Sequence, residues 1–173
     1  MEIRPLEPRD EGAVTRFLQR VPEGDRTFFK EDVGDPAVVA AWSRPGAGRS
    51  IAVEGETVLG SVALVPLTGW SSHVAELRVV VDPDSRGRGV GRALTRHAVL
   101  EALELGLQLM VVDVVADQAP AIAMFRALGF DPEALLAGHV RDQSGAVRDL
   151  MILSHSVDEA YGAMAAVGLA GDL

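Results

Sequence analysis

Residues 107–115 read Leu-Gln-Leu-Met-Val-Val-Asp-Val-Val, an apolar, valine-rich run of the kind buried on both faces of a sheet. Upstream, Val90, Ala93, Leu94, His97, Ala98, Glu101, Ala102 and Leu105 recur at helical spacing from Gly89, and Gly106 stands where a glycine ends a helix. Before that helix a further strand runs from about Val74 to Val81. It stops at Asp82-Pro83, because proline has no N–H for a ladder and restrains the residue before it. Strand, long helix and strand in that order predict a βαβ unit with two parallel central strands.

The rest of the chain surrounds this unit with shorter elements. Ile3 to Leu6 reads as a strand, and Ala13, Val14, Phe17, Leu18 and Val21 carry a helical stripe that Pro22-Glu23-Gly24-Asp25 breaks. Asp35 and Pro36 suit the cap and first turn of a short helix through Trp42. Arg49 to Val53 and Thr57 to Leu67 flank Glu54-Gly55-Glu56 as a hairpin. Pro120 opens a helix carrying Ile122, Met124, Phe125 and Leu128, and Leu135 to Arg141 and Val147 to Leu153 pair across Asp142-Gln143-Ser144-Gly145. Residues 1–155 are read as one domain, and 156–173 as a small-residue helix or loose tail of that domain.

A length of 173 residues suits one domain. A formal net charge of −9 repels phosphate backbones and anionic lipid, so neither nucleic acid nor membrane is an expected partner. The absence of cysteine excludes disulfides, thiolate metal sites and a cysteine nucleophile. His73, His97, His139 and His155 have no ligand spacing, and no metal is expected. With no basic-then-apolar leader and no long apolar stretch, the chain is read as soluble and cytoplasmic.

Within this acidic chain, Arg86-Gly87-Arg88-Gly89-Val90-Gly91-Arg92 concentrates positive charge between a strand and a helix. Alternate glycines let backbone amides converge, and the following helix adds its unpaired N–H groups and the positive end of its dipole. Such a turn suits a pyrophosphate. It lacks the Gly-Lys-Ser/Thr of a Walker loop, and Arg92 and Leu94 stand where a dinucleotide fingerprint needs small residues.

Arg86-Gly87-Arg88-Gly89-Val90-Gly91, preceded by an apolar strand and Asp-Pro, resembles the Gln/Arg-x-x-Gly-x-Gly/Ala signature of the GNAT acetyltransferases. Ala121 to Phe130 (Ala-Ile-Ala-Met-Phe-Arg-Ala-Leu-Gly-Phe) is similar to that family's second block, Ala-Ile-x-Leu-Tyr-x-x-x-Gly-Phe. The resemblance runs from Ile3 to about Leu153. It implies a mixed sheet of about seven strands with about four helices, whose central parallel pair splays into a V-shaped cleft. It also implies acetyl-coenzyme A as acyl donor and an amine acceptor, either a small molecule or a protein lysine; a homodimer stays open.

On this resemblance, backbone groups of Val79, Val80 and Val81 bond the pantetheine amides, with the Val80 N–H polarising the thioester. Arg86, Gly87, Arg88, Gly89, Val90, Gly91 and Arg92 hold the pyrophosphate, and Gln118 replaces the family's asparagine. Phe125 stands where the family has a tyrosine that protonates the leaving thiolate, leaving Tyr161 in the tail as the chain's only tyrosine. Glu76, in Ala75-Glu76-Leu77, resembles the general base of some protein-lysine members. Other members carry that acid one residue earlier, so the role requires a bulge; otherwise Glu76 is a solvated strand residue. Asp113 is a second candidate base or a solvent-facing strand-end residue, and His73 a third. Glu23, Asp25, Glu31 and Asp32 form a possible acidic rim for a cationic amine. A non-catalytic acyl-coenzyme A-binding module is the competing reading, prompted by Phe125.

Overall fold

A computed structural model describes residues 1–26, 29–44 and 46–158. Seven strands form one sheet: β1 (Glu2–Pro5), β2 (Arg49–Glu54), β3 (Thr57–Pro66), β4 (Val74–Val81), β5 (Leu109–Val115), β6 (Asp131–Arg141) and β7 (Val147–Ser156). Their order is β1-β2-β3-β4-β5-β7-β6, antiparallel throughout except for the parallel β4–β5 pair. The helices are α1 (Glu11–Arg20), the single turn α2 (Glu23–Arg26), α3 (Pro36–Trp42), α4 (Val90–Glu104) and α5 (Ala119–Ala127).

Two apolar layers sandwich the sheet. On one face Val90, Leu94, Ala98 and Ala102, one stripe of α4, pack with Ala75, Leu77, Met110, Val112 and Phe125. On the other, Val14, Phe17 and Leu18 of α1 and Val39 and Trp42 of α3 cover Ile51, Val53 and Val58. Each large side chain buried this way stabilises the fold by roughly 1.5–3 kcal/mol.

The long helix ends in a Schellman motif: Leu107 donates to the Ala102 carbonyl (2.9 Å) and Gly106, at φ 69°, donates to Leu103 (3.0 Å). Leu107 spends its N–H on helix closure, which is why the strand begins at Leu109 rather than Leu107. The last hairpin also differs from expectation. Its first strand starts at Asp131, four residues before Leu135, and register shifts near Pro132 and Leu136 blur the alternation that would have revealed it. Of the proposed tail, Ser156 ends β7 and Val157 is fully buried just beyond it, while residues 159–173, Tyr161 among them, lie outside the described residues.

Two glycines hold the α4 layer close to the sheet. A Cβ on Gly60 would lie 2.7 Å from the Val80 carbonyl oxygen and 2.9 Å from Leu94, whereas one on Gly91 would meet the flexible Met124 sulfur at 2.9 Å. Gly60→Ala is therefore expected to lose about 1–3 kcal/mol in urea denaturation, because backbone cannot yield. Gly91→Ala is expected near zero, since the side chain of Met124 can turn aside and alanine gains about 1 kcal/mol of helix propensity. Equal losses at the two sites would contradict this account of the packing.

Candidate active site

The parallel pairing of β4 with β5 lasts for three residue pairs, Val74–Leu109, Ala75–Met110 and Glu76–Val111. Beyond them β4 continues to Val81 paired only with β3, and β5 continues to Val115 paired only with β7. Each strand thus keeps one open edge of backbone groups facing the gap, and such groups need a hydrogen-bonding partner. Val79, Val80 and Val81 lie along the open edge of β4. Gln118, half-buried, stands past the end of β5; its carbonyl accepts from Ala121 (3.0 Å) and Ile122 (3.1 Å), and its side-chain amide makes no cap bond to the helix.

At the end of β4, Asp82 pins the exit of the chain. It is 3% exposed, accepts from the Asp84 N–H (3.0 Å) with one oxygen and from Arg20 Nε of α1 (2.5 Å) with the other. Arg20 also donates to the Val58 carbonyl (3.0 Å), so α1, β3 and the end of β4 are tied at one point. The turn that follows uses two left-handed glycines, Gly87 (φ 74°) and Gly89 (φ 81°), the second capping α4. Gly91 has no such angle and serves close packing instead. Among the described residues, the N–H groups of Gly87, Gly89, Val90, Gly91 and Arg92 have no backbone acceptor, and no acid stands in the first turn of α4. The arginines are exposed. Arg86 pairs with Asp25 (2.6 Å) and Arg88 with Glu54 (3.3 Å).

The opposite face of the opening is carboxylate-rich. Register along β3–β4 is unbroken from Gly60–Val81 to Pro66–Ala75, without a bulge. Ala75 and Leu77 enter the α4 layer, so Glu76 points to the α1/α3 face. The bulge on which the sequence made the general-base reading of Glu76 depend is absent, and the acid reaches this face through plain alternation. Glu76 is not a solvated residue either: its side chain is 13% exposed, bonded by Arg78 (3.0 and 3.1 Å) and by Lys30 (2.8 Å).

Asp113 likewise corrects its solvent-facing reading. It sits mid-strand opposite Ile152 and grips Lys30 Nζ at 2.6 Å. Lys30 thereby joins the two strands across the line where they part. It is held there by its neighbours. Phe29 stacks on Trp42 at 6.3 Å, and Glu31 binds Arg49 (2.5 Å) and Arg78 (3.5 Å). Of the acidic rim read from Glu23, Asp25, Glu31 and Asp32, Asp25 and Glu31 are committed to arginines and Asp32 accepts from the Gly34 N–H. Sequence reading found Glu76 and Asp113 but missed Lys30, whose only signal was being the sole lysine.

Burial pushes the Glu76 carboxyl up, but the hydrogen bonds and charges of Arg78 and Lys30 outweigh it and hold the group below its ordinary value. Burial likewise pushes the Lys30 ammonium down, and Asp113 and Glu76 more than offset it. His73 is exposed at the closed end of the pair, with its carbonyl accepting from Gln108 and Leu109. Phe125 is 4% exposed, its ring edge-on to Phe130 at 5.5 Å. A cavity of about 430 Å³ lined by Trp42, Arg49, His97 and Glu101 holds none of the candidate catalytic or cofactor-binding residues.

Residues 15–130 match the model of the acetyltransferase (GNAT) family. The chain belongs to the GNAT family. It is 29% identical over 158 residues to the uncharacterized N-acetyltransferase YjgM of Escherichia coli, covering 86% of this chain and 94% of that protein. It is 32% identical over 103 residues to the streptothricin acetyltransferase of Streptomyces lavendulae, covering 59% of this chain and 54% of the relative. Among solved structures, yncA of Salmonella typhimurium with its cofactor acetyl-CoA superimposes with a TM-score of 0.77 at 22% identity, over 91% of this chain and 94% of that one. The GNAT chain is thus an acyltransferase, of a family that uses acetyl-coenzyme A and an amine acceptor. No described helix is long and apolar enough to cross a membrane.

The lowered Glu76 carboxyl makes a prediction about acid. Its ionisation stabilises the folded GNAT chain above the unfolded carboxyl value of about 4.3, and that contribution is lost as pH falls through the lower folded value. Glu76→Gln is expected to lower the urea midpoint at neutral pH, with the gap from wild type closing below about pH 4. A gap that persists in acid would mean that the variant acts by packing rather than charge.

Proposed function

We propose that this chain transfers the acetyl group of acetyl-coenzyme A to a primary amine by direct attack in a ternary complex, without a covalent enzyme intermediate. The observation that supports the reading is that the open β4 edge leads into the left-handed glycine turn at the start of α4, with Glu76 and Asp113 bridged by Lys30 where β4 and β5 part.

In this reading backbone groups of Val79, Val80 and Val81 bind the pantetheine amides, and the Val80 N–H stabilises charge on the thioester oxygen as it develops. The amides of Gly87, Gly89, Val90, Gly91 and Arg92 receive the pyrophosphate at the positive end of α4, those of Arg86 and Arg88 being engaged by the Pro83 and Ser85 carbonyls, and the side chains of Arg86, Arg88 and Arg92 add charge around it. Arg86 and Arg88 exchange Asp25 and Glu54 for phosphate oxygens. Gln118 offers its side-chain amide from the β5 side, and Phe125 backs the thioester end with an apolar wall.

Glu76 takes a proton from the acceptor ammonium, with Asp113 helping to hold that cation. The carboxylate of Glu76 is ionised at neutral pH, so it is ready to accept. Arg78 and Lys30 weaken it as a base, and its pull on the proton grows once an entering amine displaces Lys30. The acceptor is a cationic amine: a protein lysine, a polyamine, an aminoglycoside, an amino acid or an antibiotic of the streptothricin kind.

Release of coenzyme A thiol over a panel of such amines tests the reading. Glu76→Gln is expected to lower kcat by about 100-fold with little change in KM for acetyl-coenzyme A. Gly89→Ala is expected to raise that KM about tenfold, because a side chain at left-handed φ costs about 1–2 kcal/mol and distorts the turn. Tight acetyl-coenzyme A binding with no turnover on any amine would instead favour a non-catalytic binding module.

A further inference from the structure

Lys30 is the chain's only lysine, and it contacts both carboxylates that the proposed function assigns to the acceptor. Its Nζ is 2.8 Å from Glu76 Oε1 and 2.6 Å from Asp113 Oδ2, so one primary ammonium spans both carboxylates at the point where β4 and β5 separate. Asp113 has Lys30 as its ion-pair partner among the described residues, whereas Glu76 is paired twice. Arg78, two residues along the same strand, already forms a two-bond pair with that carboxylate. The position is not that of a loose surface chain, since Phe29 on Trp42 and Glu31 on Arg49 fix the backbone on either side. The Lys30 side chain is 43% exposed, and those of the two carboxylates are 13% and 22% exposed.

We infer that Lys30 is an internal acceptor, and that the chain acetylates its own Lys30 Nζ in this site. The inference rests on the proposed function and names a substrate for it within the same molecule. Glu76 takes one proton from the Nζ ammonium, and the neutral nitrogen attacks the thioester carbonyl carbon. As the tetrahedral adduct collapses the C–S bond breaks, and the second proton passes from nitrogen to the departing thiolate. The products are Nε-acetyl-Lys30 and coenzyme A thiol, with the proton on Glu76 returned to solvent. A tethered amine presents an effective concentration that a dilute external acceptor does not match. Once acetylated, Lys30 carries no charge, and both carboxylates are released from it.

The test is to incubate the purified full-length chain with acetyl-coenzyme A and no added amine, then follow intact mass and map the modified peptide. The expected result is one acetyl group on Lys30, separable by mapping from any on the Met1 amine. Its rate per chain should not change on dilution, and should exceed that of the heat-unfolded chain by about tenfold or more. Lys30→Arg should carry no acetyl group at that position. Glu76→Gln and Asp113→Asn, checked for folding by thermal melts, should both slow the modification. A Lys30 that stays unmodified, or reacts as fast in the unfolded chain, overturns the inference. Parallel assays with external amines separate the two claims: turnover with Lys30 untouched sinks self-acetylation alone, whereas bound acetyl-coenzyme A with no transfer to any amine sinks the transferase reading as well.

Discussion

Three pairs of residues hold β4 against β5, and the functional reading depends on the strands parting after Glu76 and Val111. A parallel pair inside a covered sheet would ordinarily continue for the length of its strands, because backbone groups left without partners cost free energy. Here each strand is secured on its outer side, β4 by seven pairs with β3 and β5 by seven with β7. The gap therefore opens without loosening either strand. A ligand that supplies amide-like donors and acceptors along such an edge recovers hydrogen bonds the fold leaves unmade, and pantetheine has two amides to offer.

Rigid attachments fix where that edge leads. Asp82 ends β4 under a buried carboxylate that binds Arg20 of α1 and the next turn's backbone, so the strand's exit cannot drift relative to the sheet. Gly87 and Gly89 then reverse the chain, and α4 begins with its amides turned outward. Gly60 lets α4 lie close on β3, and the Schellman closure at Gly106 sets the return into β5. Strand edge, glycine turn and helix start are consequently one rigid piece. Preorganisation of this kind lowers the free-energy cost of ordering groups when ligand binds.

Much of this was legible in the sequence because its causes are local. Asp82-Pro83 ends a strand by proline chemistry, Gly106 ends a helix by its left-handed angle, and the alternate glycines after Arg86 announce a turn. The acceptor side was legible only in part. Alternation put Glu76 on one face or the other, and the presence or absence of a bulge in β4 decided which, a property of pairing with β3. Asp113 read as solvent-facing because its partner, Lys30, lies 83 residues away in the chain. Half of the acidic rim was misjudged for the same reason, since charge composition does not reveal that Arg49 and Arg78 engage Glu31 and that Arg86 engages Asp25.

Phe125 raises the question of how the leaving thiolate acquires a proton without a tyrosine. The ring is buried against Phe130 in the α4 layer, so a phenol there would need a partner in an apolar setting. Direct attack by an ammonium-derived nitrogen removes the need for one. In the proposed mechanism the acceptor arrives with two protons to lose: the first goes to Glu76 before attack, and the second is strongly acidic once nitrogen bears the positive charge of the tetrahedral adduct. It lies on an atom bonded to the same carbon as the departing sulfur, so transfer is short or passes through one water. A thiolate is also a far better leaving group than an alkoxide, and it asks little of a general acid. On that proposal one demanding proton transfer is left, at the carboxylate side of the opening. That is where Glu76, Asp113 and Lys30 converge, and the apolar wall at Phe125 is left to packing.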